Sequence, residues 1–95
     1  MKTIWKYGII PGRCDVQMPL GSKVLSAGLD PIGNMCIWVE VDTENPIMNY
    51  NVLGIGTGWE ITVDLSEFKF IDTVTHGDFV WHIYVEDKGE DQWKL

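Results

Sequence analysis

Positive charge is what this chain has least of. Its 95 residues hold a single arginine, Arg13, and six lysines against fourteen Asp and Glu, a formal net of −7. Affinity for a nucleic-acid polymer comes largely from Lys and Arg neutralising phosphates, so this balance excludes DNA or RNA as direct partners. A small anion held at one local site stays open. Cysteine occurs twice, as Cys14 and Cys36, too sparse for a secreted disulfide scaffold, and free thiols are expected over a pair. With two distant histidines and no CxxC, zinc-ligand spacing is missing and no metal site is expected. No long hydrophobic run exists either. The longest uncharged stretch, "NPIMNYNVLGIGTGW", is broken by Asn, Pro and Gly and falls short of the ~20 apolar residues a bilayer requires, so no membrane partner is expected. The start, "MKTIWKYGII", reaches Arg13 before any long apolar core or cleavage-like site, and reads as a mature cytoplasmic N-terminus.

What is present is apolar and aromatic. Hydrophobic residues make up 45% of the chain and include five Trp, which is too much for disorder and points to one globular domain over 1–95, with a flexible acidic tail at 87–95. No segment carries the i, i+3, i+4, i+7 pattern of a helix for more than about ten residues. Period-two runs rich in β-branched and aromatic residues recur instead. They predict strands at 3–8, 14–18, 23–29, 35–41, 48–55, 68–75 and 79–86, in meander-like spacing. Turns are marked by "PLGS", "DPIGN", "TENP" and the tight hairpin "THGD". The one helical candidate, "DLSEF", is a single turn with Asp64 as its cap. The fold class is therefore all-β: a small antiparallel sandwich or curled barrel of about seven strands. Alternation assigns Phe79, Trp81, Ile83 and Val85 to the core, with Met35, Ile37, Val39 and Val41. Trp38, His82 and Tyr84 fall on a second, aromatic yet polar face, which asks for a second layer, an oligomer contact or a ligand.

The stretch "LGIGTGWEI" resembles a cofactor loop but lacks its context. A dinucleotide fingerprint needs a third glycine where Trp59 stands and a helix afterwards, and a P-loop needs a Gly-Lys-Ser/Thr ending. No cofactor is expected. Two readings of Gly56, Thr57 and Gly58 survive: a bulge or tight turn, and a nest of backbone N–H groups for an anion.

The opening "TIWKY", the block "VQMPLGSKVLSAGLD", the strand "MCIWVEVD", the "GIGTG" loop and the closing "GDFVWHIYVE" together resemble a family of short bacteriophage and prophage proteins, a domain of unknown function. The resemblance covers most of the chain in order and implies a phage accessory protein in the cytoplasm of an infected bacterial host. It carries over no catalytic residues. Trp59 departs from the pattern, in which a histidine or small polar residue commonly follows the G-T-G.

Enzymatic activity is not expected. His76 sits in a turn and His82 among apolar strand neighbours, and no nucleophile is paired with a base. Small phage proteins that counter bacterial immunity include sponges, which sequester a host signalling nucleotide without turning it over. A sponge needs aromatic platforms, donors for phosphates and, usually, a symmetric oligomer. Trp38, Trp59 and Tyr84 are candidate stackers, Arg13 the only guanidinium, Gly56, Thr57 and Gly58 the candidate nest, and His82 a neighbouring polar group. The leading expectation is thus a homo-oligomeric, non-enzymatic protein that sequesters a small anionic ligand, a host immune (cyclic) nucleotide. The alternative is direct inhibition of a host protein, for which the acidic "EDKGEDQWKL" end with Trp93 offers a hook.

Overall fold

The computed structural model describes residues 1–88; most of the proposed tail, from residue 89 onward, lies outside the described residues. Seven strands form: β1 (Lys2–Gly8), β2 (Gly12–Pro19), β3 (Lys23–Leu29), β4 (Met35–Asp42), β5 (Ile47–Gly56), β6 (Phe68–His76) and β7 (Phe79–Glu86). A 3-10 turn at Leu65–Glu67 follows Asp64, whose carboxylate accepts the Ser66 N–H as its cap.

The strands build two antiparallel sheets, ordered β1-β4-β3 and β2-β5-β7-β6, that face each other as an unclosed sandwich. A meander is not what forms. The chain crosses between sheets after β1, β2 and β4, and β6 lies outside β7 rather than beside β5. The reason is visible in burial. β4 and β5 carry five buried residues each, more than any other strand, and each sits in the interior of its sheet, where both edges are paired.

The core runs between the sheets. Ile37, Val39 and Val41 of β4 oppose Val52 of β5 and Ile83 and Val85 of β7, with Met18 and Val16 from β2. Fully burying such a side chain contributes about 1.5–3 kcal/mol, and these few residues supply most of what a domain this small has. Phe79 departs from the expected core set. It stands at the end of β7, 64% exposed and stacked on Trp81. At the edges, the Ala27 N–H of β3 donates to the Asp72 carboxylate of β6 and ties one sheet to the other.

One loop shows how a turn is specified. In the β3–β4 connection, Asp30 Oδ1 accepts the N–H groups of Ile32 and Asn34 while its Oδ2 pairs with Lys6 Nζ at 3.0 Å. The Asn34 N–H, then Lys6, hold the Asp30 carboxyl below the usual carboxylate range, and the same pair raises Lys6. Cys36 lies nearby, flanked in register by Gly8 and Gly28. Burial, then the nearby Asp30 charge, pushes its thiol up. Both cysteines are free, Cys36 in the three-stranded sheet and Cys14 in the other.

Candidate functional site

The eight residues singled out by sequence separate into three places. Arg13, His82 and Tyr84 share the outer face of the four-stranded sheet, with Thr57 joined to it from the turn after β5. Cross-strand register sets Arg13, Leu53, Tyr84 and Phe70 in one row across β2, β5, β7 and β6. Leu53 is buried in that row although it points away from the inter-sheet core. Phe70 is 50% exposed and meets Tyr84 edge to face, with centroids 5.4 Å apart. His82 is held from both sides, its Nε2 2.8 Å from Thr57 Oγ1 and its Nδ1 3.1 Å from Thr73 Oγ1. Hydroxyls donate or accept as the ring requires, so this contact ties the G-T-G turn to β6.

Trp38 is elsewhere. Sequence parity put it on one face with His82 and Tyr84, but β4 belongs to the other sheet, and Trp38 occupies the outer surface there, its ring 3.5 Å from where a Gly28 Cβ would sit. Parity defines a face within one strand and carries no information about which sheet the strand joins.

Gly56 and Trp59 form the third place, at one end of the sandwich. The Trp59 N–H returns to the Gly56 carbonyl, closing a turn with Gly58 at φ +88°, a value that glycine alone adopts without strain. A Cβ on Gly56 would stand 2.8 Å from the Trp59 ring, so the glycine is small because the indole lies on it. Trp59 meets Trp81 edge to face at 5.2 Å. The turn's donors are largely occupied: the Thr57 N–H bonds the Val80 carbonyl, and only the Gly58 N–H has no partner among the described residues. The geometry is a turn that seats an indole, with one donor left for an anion nest.

A concave feature lies at the opposite end and contains none of the eight. A cavity of about 300 Å³ opens beside the β2–β3 turn, lined by buried Met18, Tyr50 and Val85 and by Lys23, Lys69 and Lys88, with Glu86 and Asp87 also present. Three lysines against two carboxylates leave this site formally at +1 on a chain of −7. Tyr50 forms part of the wall. Its hydroxyl accepts the Gly21 N–H, burial raises it above the ordinary phenol range, and Lys88 Nζ stands 5.6 Å from its ring centroid. Glu86 accepts from Asn51 N–H and Nδ2 and pairs with Lys88 at 3.3 Å. Burial opposes its charge, yet these bonds outweigh it and hold the carboxyl below its usual range. Arg13 Nε donates to Asn51, so a polar relay runs from the outer face to the cavity rim.

The lysines were hard to foresee. Lys69 lies between Phe68 and Phe70, and a register shift between Phe70 and Asp72 decides which of them faces inward. The readable signal was scarcity, since half of the six lysines converge here. Chemically, this site suits a phosphate or carboxylate. Among the described residues, no group of three or more His, Cys, Asp or Glu could hold a metal, and no helix is long and apolar enough to cross a membrane.

No curated protein and no solved structure matches this chain. A family model described as a domain of unknown function, DUF7352, matches residues 1–94, and the chain therefore belongs to the DUF7352 family.

Proposed function

We propose that the protein is a non-enzymatic binding module for a small anionic ligand, seated in the cavity that Lys23, Lys69 and Lys88 line. The observation that carries this reading is the convergence of half of a scarce cation supply on one concavity with an apolar wall. Charge-assisted bonds from such lysines are roughly twice as strong as neutral ones, and a negatively charged surface elsewhere leaves the local field intact. The volume stands at the small end of the range for ligand pockets, about 300–1,000 Å³, so a mononucleotide-sized anion or one phosphate end of a larger one is the occupant. Binding without turnover is the reading because the one aliphatic hydroxyl in the lining, that of Ser22, donates its proton to the Pro19 carbonyl and not to a general base. In a phage-infected bacterium, the setting that the motif resemblance implies, the role is sequestration of a host signalling nucleotide by its phosphates.

Native mass spectrometry of protein taken straight from a bacterial lysate tests this reading. A nucleotide retained at fixed stoichiometry, and lost on Lys69→Ala or Lys23→Ala with the melting curve unchanged, would support it. A protein that emerges empty and takes up no mono-, di- or cyclic nucleotide and no inorganic phosphate would overturn it.

A second reading has its own observation. The row of Arg13, Tyr84 and half-exposed Phe70 offers residue types that dominate protein interfaces on the outer face of the four-stranded sheet. This face suits direct binding of a host protein. Phe70→Asp should abolish that function and leave nucleotide retention unchanged, whereas Lys69→Ala should do the reverse.

A further inference from the structure

The segment after the G-T-G turn has a strand's sequence and no strand's partner. Residues 59–63, "WEITV", alternate apolar and polar, and a backbone of such composition belongs in a sheet. Here, beyond the Trp59 N–H that closes the preceding turn, residues 59–63 make no hydrogen bond among the described residues. Their apolar members are also left open: Trp59 is 54% and Ile61 53% exposed, and Trp59 meets Trp81, on which the exposed ring of Phe79 stacks. The backbone has no regular structure from Trp59 to Thr62 and bends at Val63, so pairing requires it to extend; a short, uncovered segment of strand-like sequence with an apolar side is then a template for pairing with another chain.

We propose that segment 59–63 is a self-association edge, pairing antiparallel with the same segment of a second copy about a twofold axis at Ile61. Charge and side-chain pattern select both the partner and the register. With Ile61 opposite Ile61, Trp59 faces Val63 of the partner chain and Glu60 faces Thr62, so apolar meets apolar and no like charges oppose. Moving the axis to Thr62 sets Glu60 against Asp64, and moving it to Glu60 sets two glutamates together. An axis between residues pairs apolar with polar side chains throughout. The turn at Gly58 and the 3-10 turn beginning at Leu65 bound the segment and prevent a longer slide. A twofold contact of this kind is self-complementary and closed, which is the commonest form of oligomer. Five residues a side is a small contact, so the dimer is weak and depends on concentration.

The test is the oligomeric state of the full chain by native mass spectrometry and sedimentation from about 1 µM to about 1 mM, the range of weak association. A monomer–dimer equilibrium is expected, with Ile61→Lys reducing the dimer at least tenfold because two ammonium groups then meet on the axis. Ile61 makes no hydrogen bond and is half exposed, so the variant should melt like the parent. Register is read separately in a Cys14→Ser background: Ile61→Cys should form a disulfide-linked dimer on mild oxidation, and Thr62→Cys should not. A chain that stays monomeric throughout, a dimer indifferent to Ile61→Lys, or equal crosslinking by both cysteine variants would overturn the proposal.

Discussion

β7 joins two ends of the molecule that share a strand and differ in chemistry. At its start, Phe79 and Trp81 stand with Trp59 in an aromatic group over Gly56; at its finish, Val85 and Glu86 adjoin a cavity ringed by lysines. Both ends rest on the same alternation, in which Trp81, Ile83 and Val85 turn inward. The difference comes from what the rest of the chain delivers to each end. A tight glycine turn swings one indole onto the first, while the starts of β3 and β6 bring Lys23 and Lys69 to the second. One end thus gathers partly exposed aromatic rings and the other gathers charge.

Substitutions that separate the ends can be ranked. Ile83 is fully buried between them, and Ile83→Ala should cost about 2–5 kcal/mol and weaken both together, read as a lowered denaturation midpoint. Gly56→Ala acts on the aromatic end alone. Its new methyl must displace the Trp59 ring, for about 1–3 kcal/mol, with a change in tryptophan fluorescence and no change in ligand retention. Gly58→Ala should cost about 1–2 kcal/mol through its positive φ, without the fluorescence change of Gly56→Ala. Lys69→Ala reverses the pattern. An exposed lysine without a tight partner changes stability by no more than about 0.5 kcal/mol, so ligand retention should fall while the melting curve stays put. If Lys69→Ala also unfolds the protein, the two ends are not separable in this way.

The smallest change is expected from pH across the neutral range. Asp30 and Glu86 titrate lower in the folded chain than in the unfolded one, so their contributions are present above the ordinary carboxylate values and are lost as pH falls through the depressed ones. Lys6 titrates higher when folded. Its contribution is complete below the ordinary lysine value and is lost as pH rises through the raised one. Melting temperatures should therefore be level between about pH 5 and 8 and fall on both sides. On the acid side, Asp30→Asn should flatten the fall.

Much of the fold was legible because strands announce themselves locally. All seven appear close to where period-two alternation sets them, and the Asp64 cap and the THGD hairpin follow from their own residues. The candidate site was legible only in pieces. Arg13, Thr57, His82 and Tyr84 do come together on one sheet face, but Trp38 went to the other sheet, Gly56 and Trp59 to one end, and the lysines of the cavity were not foreseen.

The sequence by itself determined an all-β chain of seven strands, their turns, and, Phe79 apart, which residues of β4 and β7 face the core. Those properties depend on neighbours one to four residues away, where the pleat and turn chemistry act. Only the tertiary structure decided which sheet each strand joined, which residues faced one another across strands, and where scarce positive charge would gather. Those outcomes rest on pairing between distant segments, on one register shift in β6, and on β4 and β5, the strands with the most buried residues, taking interior positions.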